Sequence, residues 1–239
     1  MPLPAKAFQL WLHGVAPAAS TADICRISGL KRTTLAQQLV RGKVAETSVV
    51  SISRALGINP AEALSFFDQY AGLKQLRQPP TSVELVSQIA TMDLLEAVVA
   101  RSSGRSGRLT LSPPPHATSV RNWVDAVDDG ELRHRVSAAS GVAPQNYSAQ
   151  LTANRLSPEL AIATSRAAGV GFSAGFVAAG LITEAEAGWP PSARQEALDA
   201  LSDGDLVSLA GDRLQALGRT LRRQEQEQAQ TEKIWENLG

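Results

Sequence analysis

Two stretches of the chain, "SGLKRTTLAQQLVRG" at Ser28–Gly42 and "SGVAPQNYSAQLTAN" at Ser140–Asn154, open alike and carry the same Gln-Leu near their ends. They lie 112 residues apart, and that one offset aligns the two halves of the chain without a gap. Trp11 falls on Trp123, Ser53-Arg54-Ala55 on Ser165-Arg166-Ala167, Gly57 on Gly169, Asp93-Leu94 on Asp205-Leu206 and Arg101 on Arg213. Between these anchors the apolar residues keep register: Ile24 with Val136, Leu30 with Val142, Leu35 with Tyr147, Ile58 with Val170, Leu64 with Phe176. Matched turn glycines and matched apolar positions ask for matched backbones, so the expectation is one helical domain written twice.

Each copy reads as five short helices and a helical extension. In the first they fall near residues 5–17, 21–28, 32–41, 46–56 and 60–71. Thr21 and Asn59 are candidate N-caps, Pro60 suits a first helical position, and Gly42 and Gly57 are C-terminal stops. In the second copy Ser157-Pro158 opens the fourth helix and Gly169 closes it. Thr81 with Glu84 and Ser192 with Gln195 have the spacing of capping boxes for the extensions. Strand-like alternation is confined to "RLTL" at Arg108–Leu111. Apolar residues make up 44% of the chain but aromatics only 5%, and the abundance of Ala, Val and Leu favours small helices. The expected fold class is all-α: two tandem bundles, each with a helical extension, plus a C-terminal helix.

The Ser-, Gly- and Pro-rich segment "RSSGRSGRLTLSPPPHATS" has the composition of a linker. The expected division is therefore 1–101 for a first unit, 102–119 for a mobile spacer and 120–239 for a second unit. Past Leu206 the tail places Leu214, Leu217, Leu221, Gln224, Gln228, Thr231, Trp235 and Leu238 on alternating three- and four-residue steps. That spacing suits a heptad seam with a polar middle, and equally a charged tail helix lying in solvent.

The segment "TADICRISGLKRTTLAQQLVRG" supplies what a helix-turn-helix needs: a bracing helix, a glycine able to take positive φ, and a second helix polar on one side. Ile24, Ile27, Leu30, Leu35 and Leu39 form the expected buried set. Thr33, Thr34, Gln37 and Gln38 are candidates for base edges, with Thr21 at the start of the bracing helix. Lys31, Arg32, Arg41 and Lys43 are candidates for phosphates. A helical bundle with a solvated polar face would show the same periodicity, but such a face mixes signs, and no acid occurs between residues 28 and 45.

The pattern "TADICRISGL…LVRG…SVVSISRALGINPAEAL" resembles the Xre/lambda-repressor-like helix-turn-helix family. More narrowly, "LAQQLVRGK" at Leu35–Lys43 and "YSAQLTANR" at Tyr147–Arg155 are similar to the recognition segment of EspR-like actinobacterial nucleoid regulators. "DLLEAVVARSSG" and "DGDLVSLAGDRLQALG" are similar to their helical extension. The resemblance implies a DNA-binding transcription regulator or nucleoid protein, cytoplasmic, that dimerises through its C-terminal part. EspR-like proteins carry one such unit per chain; this chain carries two.

Formal net charge is zero, yet the charge is unevenly spread. Residues 1–78 hold nine Lys/Arg against four Asp/Glu, residues 119–189 five against seven, and residues 190–239 six against nine. The front is the electropositive end. The second copy has Ala143 and Pro144 where the first has Lys31 and Arg32. Arg133, Arg135, Gln145, Asn146, Gln150 and Arg155 remain as secondary DNA-binding candidates, facing an acidic cluster of Asp125, Asp128, Asp129 and Glu131 that repels phosphate. A structural copy, or one that binds a protein partner through its acidic face, is the competing use. A homodimer is expected through the second copy and the tail, with Leu214, Leu217, Leu221, Trp235 and Leu238 at its seam.

Double-stranded DNA is thus the expected partner, and no cofactor and no metal are expected. The single cysteine, Cys25, excludes an internal disulfide and reads as a small packed residue. His13, His116 and His134 lack ligand spacing. No nucleophile–base pair is legible, so an enzyme is not expected, and "GVGFSAG" reads as a turn because no strand precedes it. No run of about 18 apolar residues suggests a membrane span.

Overall fold

The computed structural model describes residues 2–75, 78–105, 107 and 109–238, with the side chains of all but 74, 75 and 232–238. The fold is all-α. Its first bundle comprises α1 (Ala5–Val15), α2 (Thr21–Ser28), α3 (Arg32–Val40), α4 (Glu46–Ala55) and α5 (Pro60–Leu64), then a 3₁₀ turn at Asp68–Tyr70 and α6 (Gly72–Gln75). Next come α7 (Ser82–Ser87) and α8 (Thr91–Ser102). The second bundle comprises α9 (Ser119–Val127), α10 (Leu132–Ser140), α11 (Pro144–Thr152), α12 (Pro158–Ala168) and α13 (Phe172–Ala178), followed by α14 (Ala193–Asp199) and α15 (Asp203–Leu238). The 112-residue step reappears in the element starts: 32, 46, 60 and 91 are matched by 144, 158, 172 and 203. A two-residue ribbon, β1 (Leu3–Pro4) antiparallel to β2 (Lys43–Val44), pairs Leu3 with Val44.

Local chemistry accounts for the boundaries. Ser20, not Thr21, caps α2: its hydroxyl accepts the Asp23 N–H while the Asp23 carboxylate accepts the Ser20 N–H, and Thr21 is the first helical residue. The Ser20 hydroxyl also donates to the Asp23 carboxylate at 2.6 Å, and that bond, foremost, holds the carboxyl below the usual range. Asn59 caps α5 as expected, accepting from the N–H groups of Ala61 and Glu62. The helix stops at Leu64 rather than near 71: the Ser65 hydroxyl donates to the Glu62 carbonyl, and Phe67 is extended. Thr81 and Glu84 form the expected capping box. "RLTL" gives no strand among its described residues, Leu109–Leu111; Arg108 lies outside them.

The chain divides into two compact units, but not at 101 and 119. One unit joins residues 1–88 with 113–194, and the other joins 89–112 with 195–239. The first unit holds α1–α7 and α9–α13 in a single body. Tyr70 meets Phe176 edge-on at 5.9 Å. Arg54 donates to both carboxylate oxygens of Glu186, at 2.6 and 2.8 Å, and Asn59 donates to the Glu186 carbonyl. The Arg54 contact is the main reason the Glu186 carboxyl is held below its usual value. Glu84, wholly buried, accepts from the Thr81 N–H and hydroxyl and from Nε1 of Trp123 at 3.1 Å. A buried carboxylate with three donors is a satisfied one. Gly175 lets that indole in: a Cβ there would lie 2.7 Å from the Trp123 ring.

The second unit brings the two extensions together. Ile89, Leu94 and Ala97 share a core with Leu198, Leu206 and Ala210, so Leu94 and its sequence equivalent Leu206 lie in one cluster. Arg101 ties the pair by donating to the Leu198 and Leu201 carbonyls, each at 2.7 Å. In its described part the expected spacer makes packed and hydrogen-bonded contacts. Leu109 and Leu111 pack against this core, and the Ser112 N–H and hydroxyl donate to Asp93. On the other side Pro115 lies against Gly180, and the His116 carbonyl accepts from Asn154. Average composition concealed two leucines that pack against a core and a serine that binds Asp93 of α8. Ser106 and Arg108 lie outside the described residues.

Candidate nucleic-acid interface

The turn between α2 and α3 depends on Gly29, whose φ of 71° and ψ of 8° lie in the left-handed region; Gly141 adopts 68° and 7° at the matching place. Ile24 and Leu35 are fully buried, and Leu30 and Leu39 half-buried. Ile27, expected inside, is 43% exposed. Cys25 is buried in its stead, because α2 turns its Ile24–Cys25 side toward α4.

On the opposite side α3 is open. Lys31, Arg32, Thr33, Thr34, Gln37, Arg41 and Lys43 are all exposed, and none of the four cations meets a carboxylate among the described residues. The nearest acids in sequence are occupied. Asp23 binds Ser20 and Arg26, and Glu46 accepts the Tyr70 hydroxyl at 2.6 Å. Burial, aided by that carboxylate, raises the Tyr70 phenol above its usual value, so it stays a donor.

Gln38 stands apart from the other candidates. Its Oε1 points inward and accepts from the Ala45 N–H at 3.2 Å and the Ser48 hydroxyl at 3.0 Å, bracing the N-terminus of α4. In the second copy Oε1 of Gln150 accepts from the Ser157 N–H at 3.1 Å, at the N-cap of α12. The Gln-Leu shared by the two opening stretches is therefore a helix brace in both copies, with the amide oxygen of each glutamine engaged inside the protein.

Three residues escaped the sequence reading. Ala36 and Val40 are exposed on the outer line of α3, Val40 at 89%; apolar residues are not what a search for base-reading side chains picks out. The third is Lys6. The Ala5 N–H donates to the Gly42 carbonyl at 3.0 Å, which sets the first turn of α1, with exposed Lys6, beside the loop carrying Lys43. No local pattern signals that long-range pairing.

The second copy presents a different surface. Arg133 reaches Asp125 at 2.6 Å and Asp128 at 3.1 Å, and Arg135 reaches Asp129 at 3.0 Å and the Ala167 carbonyl at 3.1 Å. The Arg135 contact is the first cause of a depressed Asp129 carboxyl. The acidic cluster thus consumes the two arginines proposed for phosphates. Gln145, Asn146 and Arg155 remain exposed.

His13 and His134 are exposed and His116 is half-buried. Among the described residues no three His, Cys, Asp or Glu side chains gather to hold a metal, and no helix is long and apolar enough to cross a membrane. On α15, Leu214, Leu217 and Leu221 are 49%, 37% and 48% exposed, while the side chains of Trp235 and Leu238 lie outside the described residues. Comparisons with protein-family profiles, curated proteins and solved structures return no match to the chain.

Proposed function

We propose that the chain is a duplex-DNA-binding transcription regulator or nucleoid-associated protein of the cytoplasm, built on the Xre-like plan its motifs resemble. The observation that carries this reading is the set of four exposed, carboxylate-free cations around the outer line of α3: Lys31, Arg32, Arg41 and Lys43. Such a frame suits phosphates on both sides of a groove, with Thr33, Thr34 and Gln37 between them. Selectivity is modest, since few side chains reach bases. The second copy serves to hold the first, its arginines being held by its own aspartates.

Fluorescence anisotropy of the full chain with a generic duplex tests it. Four phosphate contacts give a slope of log K against log salt of roughly −3 to −4, a loss of about a hundredfold in affinity between 50 and 200 mM. Lys31→Ala and Arg32→Ala each lower the slope by about one. Affinity that does not change with salt removes the proposal.

Assembly as a homodimer is part of the same reading. Helix α8 ends at Ser102, the equivalent of Leu214, so α15 runs on without a counterpart and carries Leu214, Leu217 and Leu221 in solvent. These three also favour a second reading, an adaptor that presents α15 and the acidic copy to another protein. No DNA binding at any salt, together with a stable complex through α15, selects that alternative.

A further inference from the structure

Within α3, Thr33, Ala36, Gln37 and Val40 follow the i, i+3, i+4, i+7 spacing that draws one line along a helix. At 100° per residue they span an arc of about 100°, opposite Leu35, Gln38 and Leu39. All four are exposed, and Val40 is among the most exposed large apolar residues, at 89%. Three of the four end in methyl groups, and the fourth, Gln37, carries the only amide on the line. Around them stand the cations that fix a helix on phosphates.

This pattern has a chemical counterpart in the major groove. Thymine presents a C5-methyl there, adenine presents N7 and N6–H₂ side by side, and a G·C pair offers no methyl at all. A carboxamide matches the adenine edge in bidentate fashion, and alkyl side chains bury thymine methyls. Resting on the DNA-binding reading above, we infer that α3 selects A·T pairs, with Gln37 on an adenine and Ala36 and Val40 against the methyls of neighbouring thymines. The equivalent line of α11 reads Gln145, Ser148, Ala149 and Thr152. It has no valine and keeps only Arg155 of the basic frame, so the preference belongs to the first copy alone.

The test compares three 24-base-pair duplexes with the full chain at one salt concentration: alternating A·T, the same duplex with deoxyuridine for every thymidine, and alternating G·C. Uracil keeps every base-edge hydrogen bond and removes only the methyl. The wild type should bind the thymine duplex about fourfold tighter than the uracil duplex for each methyl buried against Val40, and the G·C duplex weakest. Val40→Ala, at a solvent-exposed site, keeps the fold and narrows the thymine-to-uracil ratio toward one, while Gln37→Ala narrows the A·T-to-G·C ratio. Equal binding of the thymine and uracil duplexes by the wild type overturns the inference, as does an unchanged ratio in Val40→Ala. In both cases a salt-dependent affinity for all duplexes leaves the DNA-binding reading standing. Absence of binding to any duplex at low salt overturns both.

Discussion

Gln37 and Gln38 are adjacent and chemically identical, and the fold gives them opposite duties. Gln38 turns its amide oxygen inward to accept from Ala45 and Ser48, while Gln37 faces solvent. Gln38→Ala should therefore lower stability by about 1 kcal/mol, the worth of its two part-buried hydrogen bonds with some relaxation. Gln38→Glu keeps the acceptor beside the positive end of α4 and should recover most of that loss. Gln37→Ala should leave the thermal midpoint where it is and weaken DNA binding instead. Equal melting of the three variants would falsify the bracing role. Gly29→Ala is the companion test. Nothing lies within 4 Å of a Cβ built there, so its cost is purely conformational, about 1 kcal/mol for a non-glycine residue at φ +71°. The glycine was legible from sequence because only one residue type suits such a φ. The glutamine was not: helical periodicity puts residue 38 on the inward side, but its polar type reads as surface, and its partners arrive from the loop and helix that follow.

At the scale of elements, the sequence exposed the helices themselves and their spacing more readily than their company. Caps such as Asn59 and the Thr81–Glu84 box follow from short-range chemistry and are found where the residues suggest. The partners of α8 and α7 are long-range facts, and a linker composition hid both Leu109 and Leu111. Helix α15 is where the assembly can be probed. Its first part is committed to the core through Leu206 and Ala210, which precede Arg213. Truncation after Arg213 should leave that core intact and convert a dimer into a monomer at tens of micromolar, read by light scattering. If the full chain is already a monomer, the pairing of α8 with α15 inside one chain is the dimerisation contact, and no second copy is required. Between the bundles, the Arg54–Glu186 pair gives an acid-sensitive clasp. The Glu186 carboxyl is depressed, so its contribution is complete above the ordinary glutamate range and fades as pH falls through the folded value. Glu186→Gln should melt below the wild type at pH 7, and the two should converge toward pH 3. A gap that stays constant with pH shows the carboxylate charge to be irrelevant.

For the whole molecule, the resemblance of the two halves invites a cut between them that the fold does not permit. Residues 1–101 alone would present α8 without Leu198, Leu206 and Ala210, and α7 without Trp123 over Glu84. That fragment should show lower helicity and faster amide exchange in α7 and α8 than the full chain. Identical exchange would mean that the first copy is self-sufficient after all.

The path of the backbone also sets an order in time. It leaves one unit for the other after residues 88, 112 and 194, so neither is contiguous and neither is complete until the last third of the chain exists. About a hundred residues separate Gln88 from Arg194, which a ribosome adds in roughly 5 to 20 seconds. For about the first third of that interval, until Trp123 is made, the new α7 carries Leu85, Val86 and the carboxylate of Glu84 with no indole to cover them. The N-terminal bundle, the part proposed to meet DNA, is thus the first to be synthesised and among the last to be finished.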